Sequence, residues 1–553
     1  MQNMDYGNGR FLYIVMFFSL IIFFFIGCGG GGGSDDSTSP SSPTLSDDST
    51  SPSSPTLSSA TLPQNSFIAS SILDSFQINI SFSDPEADLN GGTFCVKWEE
   101  YTQCLELDSS YEYVYRGDRQ IIFPLFLTPP LVGDIKVQCF LTDKVGNQSN
   151  SKNLSFSQTR PFWPWQIGSK HNDEGYDIYV DNEDNIFVAC NFNFRSYFKM
   201  KGFVAKYSPD AFCHQIIILD NLITRAITVD DEKNMYFAGV TYPDIPENYS
   251  SKAIVTKYDS NGSLLWKETL SANSSNGAMG ITLDRDGNVY ATGFIWGALD
   301  ENIPSGKSYP DIFIVKYDSY GVIQWTKYIG TGSDDAGNKI QVDSDGNVYV
   351  TGYTGSHLDG QDKPGSYTSS SSFLVKYDSL GNKIWTKLFG ITSNPNQADI
   401  AIDDSDNIYI AGLTVSELNQ NAEIGYIRKF NESGELKWTR LLGGASWYAA
   451  CRAISLDNSG NIVVTGLAYG SGDSDTPTDS ADAFVAKYDS SGTNIWFTLF
   501  STPGGEHASS ISVDSNNYIY ITGATNDSLS VHANFGYEDI FIARFSPSGI
   551  LED

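Results

Sequence analysis

Apolar residues from position 163 to the end of the 553-residue chain fall into short blocks that alternate with polar positions. The blocks are four to eight residues long and rich in Val, Ile, Tyr and Phe, and none of this region keeps a helical period over twelve residues. Such a pattern predicts short β-strands. Polar turns separate them, as in Asp343-Ser344-Asp345-Gly346-Asn347, where Asp accepts backbone hydrogen bonds and Gly adopts the positive φ that closes a hairpin.

This pattern occurs seven times. An Asp that ends the first strand of each copy recurs at intervals of 49 to 60 residues, at Asp181, Asp230, Asp284, Asp343, Asp403, Asp457 and Asp514. A basic residue and an aromatic one mark the third strand, as in Lys376-Tyr377, and in five copies a Trp follows: Trp266, Trp325, Trp385, Trp438 and Trp496. Four strands per copy, repeated seven times, predict an all-β fold, a seven-bladed β-propeller that spans residues 160–553.

The two ends of this region predict how the ring closes. The last copy stops at Asp553, where its Trp is due. Near the start, Trp163–Gly168 is similar to Trp325–Gly330, the predicted outer strand of another copy. We therefore expect the first segment to supply the outer strand of the last blade, which leaves no long exposed sheet edge.

The run "DSDGNVYVTGYT" from Asp343, followed by "FLVKYDSLGNKIWTKLFG" from Phe373, resembles the bacterial seven-bladed β-propeller repeat often labelled SBBP. The resemblance covers roughly residues 162–553, and it implies a cell-surface or secreted protein. It implies no single activity and no catalytic residues. The first copy departs from the pattern, because Cys190 stands where the other copies have Gly and no Trp follows near His214.

The N-terminus predicts export. The apolar run Phe11–Ile26 is short for a membrane span of about twenty residues but suits the core of a secretion signal. The Gly27-Cys28 pair that follows resembles a bacterial lipobox, which implies a signal peptide over residues 1–27 and acylation of Cys28. Phe25 replaces the usual Leu and Arg10 is the one basic residue ahead of the run, so an ordinary signal peptide or an uncleaved anchor is the alternative.

Residues 28–60 predict a disordered tether. Gly29–Gly33 is followed by a twelve-residue repeat, Asp35–Ser46 and Asp47–Ser58, built from Ser, Thr, Pro and Asp with almost nothing to bury. About 30 flexible residues span roughly 30 Å end to end. We expect a lipid-anchored protein of the bacterial cell envelope, at the outer membrane on its surface or periplasmic side.

Residues 61–159 predict a small β-sandwich. Two runs alternate strictly between apolar and polar positions, Phe76–Phe82 and Ile135–Leu141, as half-buried strands do. The segment Leu141–Ser149 resembles the last hairpin of bacterial immunoglobulin-like domains. The resemblance implies an immunoglobulin-like module that acts as a spacer or adhesive unit.

Charge and cysteines narrow the choice of partners. The 34 basic and 66 acidic residues give a formal charge of −32, which argues against nucleic acid and suits a soluble exported protein, a cationic ligand or a metal. Export permits disulfides. The sandwich region has three cysteines, Cys95, Cys104 and Cys139, so three pairings are open, and Cys95–Cys104 is one of them. The sequence has no closely spaced pair of cysteines of the kind that binds zinc.

The loops of a propeller divide by face. Turns after the first and third strands are nearly identical in most copies and define the turn face, whereas loops after the second and fourth strands vary and define the variable-loop face, our predicted recognition surface. Four aromatic residues on or near it are candidate ligand-binding residues, because sugar-binding sites stack rings on Tyr and Trp: Trp296, Tyr367, Trp447 and Tyr448. The alternative is that these side chains pack within their loops.

One variable loop carries Asp473, Asp475 and Asp479. Calcium is coordinated by several carboxylate and carbonyl oxygens, so these residues are the candidate metal ligands. Their spacing does not match an EF-hand loop, and the alternative is a solvated acidic loop. Calcium is the one cofactor that the sequence suggests.

Motifs for catalysis are scarce. The sequence has no nucleophile elbow, phosphate-binding loop or dinucleotide fingerprint. His507 falls on the variable-loop face, where one hypothesis pairs it with Asp173 or Asp335 and the alternative is a surface histidine. The leading prediction is a non-enzymatic, membrane-anchored lipoprotein whose propeller binds a protein or a glycan. The alternative is an extracytoplasmic glycan hydrolase or lyase that uses carboxylates on the variable-loop face.

Overall fold

The computed structural model describes seven strands between Thr56 and Gln158 and most of residues 164–552. From residue 164 onward it leaves out 168–171, 193–200, 210–212, 220–221, 242–249, 271–274, 297–308, 365–369, 393–397, 416–422, 444–446, 471–480, 528, 530–536 and 553. The chain divides into two compact units between Arg160 and Pro161. Within the described ranges, no helix is long and apolar enough to cross a membrane.

The N-terminal unit contains seven strands in two antiparallel sheets. They are β1 (Thr56–Thr61), β2 (Ser75–Ser83), β3 (Thr93–Trp98), β4 (Tyr101–Glu106), β5 (Arg116–Pro124), β6 (Gly133–Thr142) and β7 (Lys152–Gln158). One sheet has the order β1-β2-β5 and the other β4-β3-β6-β7. The register of β3 and β4 places Cys95 directly opposite Cys104. The two alternating runs noted in the sequence lie in β2 and β6, and an immunoglobulin-like identity for the unit stays a prediction.

The C-terminal unit is a seven-bladed β-propeller, as predicted, and each blade is a four-stranded antiparallel sheet. The first strands, nearest the axis, are β9 (Asp173–Val180), β13 (Ile223–Val229), β17 (Asn276–Leu283), β21 (Asp335–Val342), β25 (Asp399–Ile402), β29 (Trp447–Leu456) and β33 (Glu506–Val513). The second strands are β10 (Ile186–Phe192), β14 (Met235–Thr241), β18 (Val289–Trp296), β22 (Val348–Thr354), β26 (Ile408–Val415), β30 (Ile462–Gly470) and β34 (Ile519–Thr525).

The outer half of each blade follows the same order. The third strands are β11 (Lys201–Tyr207), β15 (Lys252–Tyr258), β19 (Pro310–Tyr317), β23 (Ser370–Tyr377), β27 (Glu423–Phe430), β31 (Asp482–Tyr488) and β35 (Asp539–Phe545). The outer strands are β12 (Cys213–Leu219), β16 (Leu264–Thr269), β20 (Ile323–Ile329), β24 (Lys383–Thr392), β28 (Leu436–Leu442), β32 (Asn494–Phe500) and, for the seventh blade, β8 (Trp165–Ile167).

The seventh blade joins the two ends of the propeller. Strand β8 pairs with β35, with Ile167 opposite Ile540, so the predicted closure is confirmed. The side chain of Gln166 fixes this pairing, because its Nε2 donates to Asp539 Oδ2 at 2.9 Å and its Oε1 accepts from the Leu529 amide at 2.8 Å. Gln166 is fully buried, so these hydrogen bonds form away from competing water.

The Asp of the first turn organises the turn face. In the fourth blade, Asp343 Oδ1 accepts from the Asn347 amide at 2.7 Å, and Oδ2 accepts from the Tyr349 hydroxyl at 3.1 Å. Lys376 Nζ lies 3.7 Å from the same carboxylate and 5.0 Å from the centroid of the Tyr349 ring. The Asp and the Lys-aromatic pair that mark the repeat therefore form one structural unit, which explains their recurrence.

The Trp of the outer strand joins neighbouring blades. Trp325 Nε1 donates to the Ser379 carbonyl of the next blade at 3.2 Å, and its ring packs on Gly381, which has a φ of +80°. Trp266 makes the same hydrogen bond to Ser319, and Trp496 makes it to Pro547. In the first blade, which lacks the Trp, Ile217 and Gln215 lie against the equivalent glycine instead.

Candidate ligand-binding site at the mouth of the central channel

The first strands surround the propeller axis, and six of them carry a β-bulge at the same position. The extra residue in each is Tyr176, Arg225, Met279, Asn338, Arg452 or Ser509. A bulge leaves one residue outside the ladder and redirects its side chain, and bulges are frequent beside functional sites. The six bulges therefore present five kinds of side chain at one level of the central channel.

The bulge also explains the glycine of the second strand. A Cβ at Gly293 would lie 1.9 Å from the Gly277 carbonyl oxygen of the bulged neighbour strand, and one at Gly466 would lie 1.9 Å from the Ala450 oxygen. No side chain fits at such a distance. The repeated Thr-Gly pair in the sequence thus marks where the neighbouring first strand is bulged.

Several polar side chains meet where the first strands begin, on the variable-loop face. His507 Nε2 of the seventh blade lies 3.5 Å from Glu174 Oε1 of the first, and Ser509 Oγ donates to the same oxygen at 3.3 Å. The guanidinium carbon of Arg225 lies 4.5 Å from the centroid of the Tyr176 ring. Together with Arg452, these residues define the channel mouth. It is open to solvent, because the side chains of Glu174 and His507 are 32% and 22% exposed.

Electrostatics at the mouth centre on Glu174. Burial opposes its ionisation, but hydrogen bonds from His507 and Tyr176 and the charge of Arg225 prevail and lower its pKa to about 2. Burial lowers the pKa of Arg452, against the opposing charges of Glu174 and Glu538. Glu174 is therefore an ionised carboxylate that interacts with several of its neighbours.

The two arginines are less fully engaged. The Nε atoms of Arg225 and Arg452 are buried, and neither has a hydrogen-bond acceptor among the residues that the structure describes. A buried donor without an acceptor is unfavourable by roughly 1–3 kcal/mol. The mouth thus contains two guanidinium groups, each with a buried donor that no described residue satisfies.

A layer of charged side chains, the channel floor, lies next to the bulges. Its members, Asp177, Lys339 and Asp399, come from the first, fourth and fifth blades; the two carboxylates are buried, and the Lys339 side chain is 26% exposed. Lys339 Nζ lies 3.7 Å from Asp177 Oδ1, and Asp177 Oδ2 accepts from the Ile227 amide at 2.9 Å. Burial opposes the charge of Lys339, but Asp177 and Asp399 outweigh it and raise the pKa of the ammonium. A charged bridge therefore crosses the channel beneath the mouth.

The structure places some of the residues predicted from the sequence and not others. Trp296 ends β18 on the variable-loop face, where it is 37% exposed and pairs with Pro310 beside Tyr309. Trp447 and Tyr448 are the first two residues of β29, the strand that carries Arg452, although their side chains lie outside the described set. Their role in ligand binding stays a prediction.

Other predicted residues lie outside the described part of the chain: Cys28, Tyr367, Asp473, Asp475 and Asp479. Within the described part, no group of three or more His, Cys, Asp or Glu side chains is placed to hold a metal ion. The calcium hypothesis for the acidic loop is therefore untested.

One hypothesis is corrected. His507 does not pair with Asp173 or Asp335 but meets Glu174, and it lies near the start of strand β33. The bulge residues were not predicted, although the sequence held a signal. The residue three positions before the repeated Asp is always Ile, whereas the residue five positions before it is Tyr, Arg, Met, Asn, Ala, Arg or Ser. Variation at one position of a constant strand marks the site.

Comparison with known proteins supports the repeat. Residues 324–359 and 495–529 match the family model of the beta-propeller repeat SBBP, as the sequence resemblance predicted. Regulatory protein FlaEY of Caulobacter vibrioides is 24% identical over 336 residues, which cover 54% of this chain and 35% of that protein. An uncharacterized WD repeat-containing protein L264 of Acanthamoeba polyphaga mimivirus is 25% identical over 256 residues, 42% of this chain and 17% of that protein.

This chain thus spans well under half the length of these two curated relatives. Among solved structures, a crystal structure of puromycin hydrolase has a TM-score of 0.43 at 11% identity, and the match covers 69% of this chain and 53% of that one. A likeness at this level says nothing about activity.

Proposed function

We propose that this protein is a membrane-anchored lipoprotein of the bacterial cell envelope, and that its propeller is a binding scaffold for a protein or glycan ligand. The channel mouth is the observation that carries the proposal. Homologous bulges bring different side chains to one opening of an otherwise regular ring. Recognition sites are commonly built in this way, from variable positions on a rigid scaffold.

The anchor is proposed from Phe11–Ile26 and the Gly27-Cys28 pair. Cys28→Ala should move the protein from the membrane fraction to the soluble fraction, because no thiol is left to acylate. Ser34→Ala, a small change in the neighbouring tether, should leave it in the membrane. Unchanged partitioning of the Cys28 variant would refute the lipid anchor.

The binding function is tested with residues 56–553, which keep every described strand, on an array of glycans and extracellular matrix proteins, with calcium and with a chelator. A saturable signal for a ligand supports the scaffold, and the absence of any signal contradicts it. If binding needs calcium, the double variant Asp473→Asn, Asp475→Asn should abolish that dependence, since it removes two of the three candidate carboxylates. Persistence of the dependence would exclude that loop.

A second candidate function is a glycan hydrolase or lyase, and the His507–Glu174 pair favours it. An imidazole held by a carboxylate in an open mouth is the arrangement of a general base. Incubation of the same protein with polysaccharides should then release reducing or unsaturated ends, and His507→Gln should abolish the release. Binding without turnover would leave the scaffold as the function.

A further inference from the structure

We propose that the channel mouth binds the carboxylate of an acidic sugar, a uronic acid, with Arg225 and Arg452 as its direct partners. The inference rests on the proposed function, because it names the chemical group that the scaffold would bind. It also assigns a site to residues that the sequence did not single out. Four observations support it: the position of the arginines, the contacts of Glu174, the channel floor and the exposed aromatic rings.

The arginines are placed to bind an anion. Both are only partly buried, and a guanidinium presents its donors in a planar fork that matches a carboxylate. Arg225 and Arg452 are the bulge residues of their first strands, so both lie at the same level of the channel. A carboxylate that enters the mouth can accept from both.

The acidic side chains of the mouth and floor do not offer a competing site for a cation. Glu174 accepts from Ser509 and interacts with His507, Tyr176 and Arg225. In the floor, Asp177 accepts from Ser510 Oγ at 2.6 Å and from a backbone amide, and it faces Lys339. The mouth therefore favours an anion locally, although the whole chain carries a formal charge of −32.

The ligand class follows from what surrounds the arginines. The mouth also holds hydroxyl groups, from Tyr176 and Ser509, that can hydrogen-bond sugar hydroxyls. On the same face, Trp296 and Tyr309 are 37% and 45% exposed and offer ring surfaces to a sugar chain. Aromatic surface around a few convergent polar groups suits a glycan better than a short acidic peptide.

The test uses residues 56–553, which keep every described strand, and three probes: a trimer of galacturonic acid, the carboxyl-reduced neutral trimer, and tri-glutamate. Binding is measured by isothermal titration calorimetry on the parent protein and on Arg225→Gln, Arg452→Gln and Arg285→Gln. Arg285 is a matched control, because it is an exposed arginine in a turn on the opposite face. Thermal unfolding of each variant checks that it folds.

We expect the parent to bind the acidic trimer and to bind the neutral trimer at least about tenfold more weakly, the effect of one charge-assisted hydrogen bond. Arg225→Gln and Arg452→Gln should each weaken binding by about tenfold or more, and Arg285→Gln should not change it. The inference is overturned if the parent binds the two trimers equally, or if all three variants bind the acidic trimer equally. Binding of tri-glutamate alone, with the same dependence on both arginines, overturns the sugar as the ligand.

The outcome separates this inference from the proposed function. If the array finds a ligand whose binding is unaffected by Arg225→Gln and Arg452→Gln, the scaffold function stands and the site at the mouth is wrong. If no macromolecule binds on the array and the acidic trimer is cleaved, the scaffold function is wrong and the enzyme takes its place.

Discussion

The ammonium of Lys339 lies 3.7 Å from the carboxylate of Asp177, and the two residues belong to the fourth and first blades, on opposite sides of the channel. Hydrogen bonds and packed rings join neighbouring blades, whereas this pair joins two blades that are not neighbours. Asp399 of the fifth blade adds a second carboxylate to the same ammonium. The floor therefore ties three blades together beneath the proposed ligand site.

Lys339→Met should destabilise the propeller by roughly 3–5 kcal/mol, because it leaves two buried carboxylates without their cation. The free energy of unfolding of residues 56–553, measured in urea at pH 7, checks this. Lys437→Met is the control, since that lysine is 41% exposed and pairs with Glu435 on the surface; we expect it to change stability by less than about 0.5 kcal/mol. Similar effects of both substitutions would mean that the floor contributes little.

Gly381→Ala should destabilise more than Gly460→Ala. The two glycines have φ angles of +80° and +74°. An alanine in this left-handed backbone conformation lowers stability by roughly 1–2 kcal/mol at either position. A Cβ at Gly381 would also lie 3.0 Å from the Trp325 ring, whereas nothing lies within 4 Å of one at Gly460. We expect Gly381→Ala to lower the free energy of unfolding by about 1 kcal/mol more than Gly460→Ala does. The shifts of the urea midpoint give the comparison. Equal costs would show that contact with the Trp ring does not require glycine.

The sequence predicted the fold because the residues that make the blades are local and repeated. Asp343, Asn347 and Tyr349 lie within seven positions, and their hydrogen bonds form within one turn. The closure was predictable for a related reason, since the segment around Gln166 retains the sequence of an outer strand. Patterns of this kind can be recognised in the sequence without knowledge of the tertiary structure.

The site was harder to predict, because its contacts connect residues distant in the chain. Glu174 and His507 meet only after the ring closes, when the first and seventh blades become neighbours. Arg225 and Arg452 are isolated basic residues in the sequence, and a bulge has no composition of its own. The available signal was a constant Ile two positions after a residue that varies. To interpret it, one must know where the bulge directs the side chain of the varying residue.

Asp335 should make the propeller less stable as pH rises from about 4 to about 6. Burial, reinforced by the charge of Asp311, raises its pKa from 3.8 to about 6, so the folded chain retains a proton that the unfolded chain has released. The penalty is absent below pH 4 and complete above pH 6. At about 1.4 kcal/mol for each pH unit, it is on the order of 3 kcal/mol.

Asp335→Asn removes that penalty and should raise stability at pH 8 with little effect at pH 4. Its side-chain oxygen can still accept the hydrogen bond that Thr331 Oγ1 donates to Asp335 at 2.8 Å. Asp334→Asn, at the exposed neighbouring position, should show no such trend. Urea unfolding of the three proteins at five pH values from 4 to 8 gives the comparison. A difference between Asp335→Asn and the parent that stays constant with pH would contradict the assignment.

Gln166→Leu should open the ring at its closing strand. The substitution keeps the size of the side chain but removes the donor to Asp539 and the acceptor for the Leu529 amide, which costs roughly 1–3 kcal/mol for each buried group left unpaired. We expect a loss of roughly 2–6 kcal/mol in unfolding free energy, together with faster hydrogen exchange in β35. Gln324→Leu makes the same change at an exposed position of the outer strand β20 and should alter neither quantity. Protection of β35 that equals the parent's in both variants would mean that Gln166 does not hold the closure.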